Sequence, residues 1–182
     1  MKDIQIQFNS DIAKDNTEVR IAFYSNIGFF IEVAQMLEFN LRKLLCYELS
    51  VKEIEKEGLT KEIVSNICHK YDEYYFQTYD EKWTLGRLKD KLKEITSLPN
   101  NVTDLIKEIN DYRILIVHKI FQNNVISGNL SDSKTVNIYI KERLIPMTNK
   151  ASKINKMIIR VIELYRNDLQ AYKAEVGLID FE

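Results

Sequence analysis

Glycine and proline force a chain to turn, and this chain of 182 residues has only 5 Gly and 2 Pro. So few obligatory breaks favour a small number of long helices over many short strands. The length favours one domain and is enough to bury a sizeable core. Hydrophobic residues at 45% and charged residues at 29% separate the chain from disordered sequences. Residues 1–182 therefore read as a single all-α domain, a bundle of five or six helices with a long C-terminal helix.

Hydrophobic spacing places the helices. Residues 1–16 are polar and mixed, compatible with a short strand or an arm. In residues 17–49, Ile27, Phe30, Ile31, Ala34, Leu37, Leu41, Leu44 and Leu45 form one apolar stripe. Gly28 sits within this helix, where glycine is usually a cost, and suggests close approach of another helix. Residues 51–57 are charged, and "EGLT" (57–60) reads as a stop followed by an N-cap at Thr60. A second helix is predicted over 60–79, with the rings of "YDEYYFQTYD" (71–80) covering the bundle core. A short amphipathic helix is predicted over 83–95, capped by Thr84, before a break at "SLPNN" (97–101). The fourth helix is predicted over 102–122, followed by a polar loop at 123–133. Pro146 should kink or divide a helix at 134–145 from the last segment. There, Met147, Ala151, Ile154, Ile158, Val161, Tyr165, Leu169, Tyr172 and Val176 make a heptad-like seam that Gly177 terminates.

Several function classes lose support at this stage. The net charge of −1 does not suggest a strongly basic nucleic-acid surface, and no helix-turn-helix is evident, so a DNA-binding repressor is disfavoured. The start, "MKDIQIQ", has no apolar signal core, and Glu32, Glu38 and Arg42 interrupt the most apolar region, 21–49. A cytoplasmic protein without a membrane span is expected, for which the sequons "NVT" (101–103) and "NLS" (129–131) carry no meaning. Cys46 and Cys68 are too few for a disulfide framework and read as small core residues. His69 follows Cys68, but neighbours on a helix point in different directions, so this is no metal site. No glycine loop to cradle a phosphate is present, and no cofactor or metal is implied.

What remains is "INDYRILIVHKIF" (109–121), with a strong phosphate-binding side chain and one of two histidines in an oily segment. On a helical wheel Arg113 falls among Val102, Leu105, Ile106, Ile109, Tyr112 and Ile116, while His118 lies about 140° around from it. Beyond Arg113 the helix is apolar nearly all round, and such a helix must be covered on all sides, by its own bundle or by a second copy. A buried arginine needs a partner. Glu38, beside the stripe residue Leu37, is the candidate, with Gln35 nearby. One reading is a structural ion pair between helices, with His118 at a surface or interface. The other is a shared chemical site.

"RILIVH" (113–118) resembles the Arg-x4–6-His pattern of the HEPN superfamily of small all-helical proteins. "AQMLEFNLRKLL" (34–45) looks like its first helix, "TLGRLKDKL" (84–92) like a helix start upstream of the motif, and "VHKIF" (117–121) like the motif's usual end. The agreement covers roughly residues 27–122. The resemblance implies a HEPN-like bundle and a metal-independent endoribonuclease of a toxin–antitoxin or phage-defence system. It also implies a homodimer, RNA as substrate and an antitoxin protein as partner. Carried over by position, Arg113 and His118 would be the catalytic pair, with Glu38 and Gln35 available to support Arg113. One departure is Ile114, where the family often has Asn, Asp or His. A degenerate, non-catalytic helical regulator or adaptor of the same fold is therefore the alternative.

Overall fold

The computed structural model describes residues 16–80, 84–92, 98–119 and 132–179. The described residues are all-α, with no strand among them. The elements are α1 (Asn16–Glu57), α2 (Lys61–Asp80), α3 (Leu85–Leu92), α4 (Asn100–Ile114), α5 (Ser133–Tyr139) and α6 (Ile145–Glu175). Two wider π-helical turns, Leu115–Lys119 and Ile140–Leu144, extend α4 and join α5 to α6. The polar loop read at 123–133 lies almost entirely outside the described residues. Its last residues belong to α5, whose first turn is capped by Asp132 accepting from Lys134 N at 3.1 Å.

The first helix runs further than its apolar stripe suggested. The helix predicted over 17–49 continues through the charged residues 51–57 to Glu57. Val51 and Ile54 turn inward while Glu55, Lys56 and Glu57 stay in solvent, so these residues form a further amphipathic stretch of the helix. The stop falls at Gly58, whose φ of +104° is a left-handed conformation that glycine adopts at little cost. Thr60 then caps α2, its Oγ1 accepting from Ile63 N at 3.3 Å. At the other end, Gly177 (φ +67°) closes α6 as Leu178 N donates to Lys173 O at 2.8 Å and Gly177 N to Ala174 O at 3.0 Å.

Pro146 does not end the helix before it. The backbone stays helical from α5 through the π turn into α6, with Leu144 and Ile145 both in the α region. Proline lacks the N–H for an i→i−4 bond and crowds the carbonyl four residues back. The wider turn ahead of it, in which Ile145 N donates to Ile140 O, accommodates both defects. Gly28 marks no close approach either. It is exposed, and a Cβ there would meet nothing within 4 Å, because it sits on the outer face of α1.

α1 and α6 share the most extensive packing, with α2 next against α1. The main core gathers Phe23, Phe30, Leu37, Leu41 and Leu44 of α1 with Ile106 and Ile109 of α4 and Ile158 of α6. A second cluster joins Ile54 of α1, Val64 and Ile67 of α2 and Leu169 of α6. Each such buried side chain contributes about 1.5–3 kcal/mol relative to exposure. A partly buried polar pair links two of the helices, Asn40 Nδ2 of α1 donating to Asn155 Oδ1 of α6 at 2.7 Å. The tyrosines of "YDEYYFQTYD" whose side chains are described, Tyr71, Tyr74 and Tyr75, are half-buried, and Tyr71 and Tyr74 meet edge to face at 6.0 Å. No helix among the described residues is long and apolar enough to cross a membrane.

Candidate functional site

α4 is fixed to the bundle by its aromatic residue. Tyr112 packs edge-on against Phe30, with centroids 5.2 Å apart, and its hydroxyl donates to the Tyr139 hydroxyl at 3.0 Å. Burial and that hydrogen bond raise the Tyr112 phenol above its ordinary range, so the link is between neutral groups. The next residue, Arg113, is thereby set facing α1 and the start of α3.

Glu38 of α1 is the hub at that point. Its Oε2 accepts from Arg113 Nη1 at 2.8 Å and from the Leu85 backbone N–H at 3.0 Å. Its Oε1 accepts from Arg42, one turn along α1. Three helices therefore converge on one carboxylate. The Leu85 N–H is the first of α3, so the carboxylate also sits at that helix's positive end. The Glu38 side chain is 15% exposed, Arg42 8% and Arg113 19%.

At Gly86, where α3 packs against α4, an added Cβ would meet Asn110 Nδ2 at 3.4 Å and Thr84 Oγ1 at 3.8 Å, ordinary van der Waals distances. Asn110 is 9% exposed, and its Oδ1 has no hydrogen-bond partner among the described residues.

The candidate residues differ in their surroundings. Arg113 is half-buried and held by Glu38, whereas Gln35 is exposed on α1. His118 is exposed and lies in the π turn Leu115–Lys119. That turn alters the wheel geometry, because in i→i+5 bonding residues five apart approach a full turn. Ile114, Ile116 and Val117 are β-branched and lose side-chain freedom in a regular α-helix, so the segment is a weak α-helix former.

The expectation that this helix is covered on all sides does not hold within one chain. Ile116 is buried at 3%, but Ile114 is 40% exposed and Val117 55%. An apolar strip therefore lies open beside His118. The other histidine, His69, is exposed on α2, its Nε2 3.2 Å from a Glu73 carboxylate oxygen. Cys46 and Cys68 are half-buried rather than enclosed in the core.

The chain matches no family model, no curated protein and no solved structure.

Proposed function

We propose that the chain is a HEPN-like endoribonuclease of a toxin–antitoxin or phage-defence system, acting as a cytoplasmic homodimer without a metal. The observation that carries this reading is the treatment of Arg113. The Glu38 contact engages one of its five N–H donors, and the side chain keeps part of its surface open. An arginine held in this way offers a pre-oriented edge to a phosphate.

The reaction needs a base, an acid and a stabiliser of added phosphate charge. The RNA 2′-hydroxyl gives up its proton and attacks the adjacent phosphorus. The bond to the 5′-oxygen breaks, and that oxygen takes up a proton, leaving a 2′,3′-cyclic phosphate and a 5′-hydroxyl. One His118 acts as base and the His118 of a second copy as acid, since histidine serves both roles near neutral pH. Arg113 holds the phosphoryl oxygens. Glu38 is a positioning residue acting through Arg113. A two-fold axis at the exposed Ile114–Val117 strip covers that strip and brings the two histidines to one groove.

Ile114 favours a second reading, a non-catalytic dimeric regulator or adaptor with a degenerate motif. Induced expression in a bacterial host separates the two. The nuclease reading expects growth arrest and fragmented RNA with the wild type and neither with Arg113→Ala or His118→Ala. Harmless wild-type protein with intact RNA moves the adaptor reading ahead.

A further inference from the structure

Cys46 and Cys68 line one cavity of about 260 Å³ on a different face of α1 from Glu38. α1 contributes Lys43, Cys46, Tyr47 and Ser50, an i, i+3, i+4, i+7 stripe. α2 contributes Cys68, Tyr71, Asp72 and Tyr75 at the same spacing, and α6 adds Leu169 and Lys173. Two facing stripes of this kind ordinarily carry leucines and isoleucines that close the seam. Here Cys46, Ser50 and Cys68 are too short to meet, and the gap between them is the cavity.

The lining is built for recognition rather than reaction. Burial, with Asp72 nearby, pushes the Cys46 thiol up to about 12. Burial also raises Cys68, with Lys173 opposing in part. Both thiols are therefore neutral at physiological pH, a soft floor rather than nucleophiles. Tyr71 is anchored by its hydroxyl, which donates to Glu53 Oε2 at 2.7 Å. Ser50 Oγ donates to the Cys46 carbonyl at 2.8 Å. Lys173 and Asp72 give the lining one charge of each sign, while the Lys43 ammonium lies over the Phe39 ring, 4.7 Å from its centroid. The cavity's volume lies at the small end of ligand pockets, the scale of a single substituted ring.

We propose that this cavity binds a small aromatic monocarboxylate bearing a ring hydroxyl or amino group. The ring lies among Tyr47, Tyr71 and Tyr75 over the thiols and Leu169. Lys173 receives the carboxylate, and Asp72 accepts from the ring donor. The site shares no residue with the Arg113 cluster and stands independently of the nuclease reading.

The test titrates the full chain with 4-hydroxybenzoate by calorimetry, with 4-hydroxybenzamide as the uncharged control. The expected Kd is about 1 mM or tighter, the scale of a ligand with about ten non-hydrogen atoms. The amide and the Lys173→Met variant should each bind about tenfold more weakly, the loss of one charged contact. A Ser50→Leu/Cys68→Leu double variant fills the gap and should lose binding. A second readout needs no variant: 4-hydroxybenzoate should raise Tm by more than 4-hydroxybenzamide does at the same concentration. No heat up to about 10 mM ligand, equal affinity for acid and amide, or an unchanged Tm would each overturn the site.

Discussion

The Glu38 hub allows a quantitative prediction. Glu38→Gln keeps the shape of the side chain but removes its charge and one of its two acceptor oxygens. In the wild type those oxygens serve Arg113 Nη1, the Leu85 N–H and Arg42, whose side chain is only 8% exposed. A hydrogen bond to a charged group is worth about 1.5–3 kcal/mol, and two of the three are lost. Loss of the carboxylate from the α3 N-terminus adds about 0.3–1 kcal/mol. The glutamine still satisfies one donor, so a net loss of about 4 kcal/mol is expected. For a chain of this size that lowers Tm by about 8–16 °C. Arg113→Met should cost much less, about 1–2 kcal/mol, because Glu38 keeps Arg42 and the Leu85 N–H. Urea and thermal melts followed by circular dichroism at 222 nm give both values. If Glu38→Gln lies within about 0.5 kcal/mol of wild type, or Arg113→Met is the more damaging, Glu38 is not the organising residue.

Other expectations follow from single features. Gly28→Ala should raise stability by about 0.5–1 kcal/mol, since the added methyl meets open space in a helix interior. Gly177→Ala should lower it by about 1 kcal/mol through strain at φ +67°, and the same melts read both. Hydrogen bonds from Lys70 and Tyr71 hold the Glu53 carboxyl below its ordinary value of 4.5. A depressed folded-state pKa gives stability that is fully present above the unfolded value and is lost as pH falls through the folded one. The gap between wild type and Glu53→Gln should therefore be constant near neutrality and close below pH 4.5, and a gap that widens in acid would contradict this assignment. His118→Ala should leave the melting curve within about 0.5 kcal/mol of wild type, because the residue is exposed.

Much of the fold was legible because its punctuation is chemical. Gly58, Thr60 and Gly177 act as stop, cap and stop because left-handed backbone and a hydroxyl acceptor are needed there. Glu38 as partner for Arg113 was legible because a poorly solvated guanidinium needs a carboxylate within reach of the apolar stripe. Other features were illegible for physical reasons. The charges of residues 51–57 concealed a helical turn, because Val51 and Ile54 alone carry its buried face. A π turn has no residue code of its own; the β-branched run before His118 and the proline after Leu144 only indicate where an α-helix is uncomfortable. The role of Leu85 on Glu38 is a backbone contact between residues 47 apart in sequence, and no side-chain pattern reports it. The cavity was missed because its two stripes were read one helix at a time, the cysteines as core and the tyrosines as cover.

The most direct test of the central claim uses purified protein and a mixed RNA substrate in excess chelator. Wild type should cut the RNA to fragments ending in 2′,3′-cyclic phosphate, while His118→Ala, melting like the wild type, should leave it whole. Intact RNA with wild type, or equal cutting by the folded His118→Ala protein, would contradict the assignment of His118 and Arg113 to catalysis.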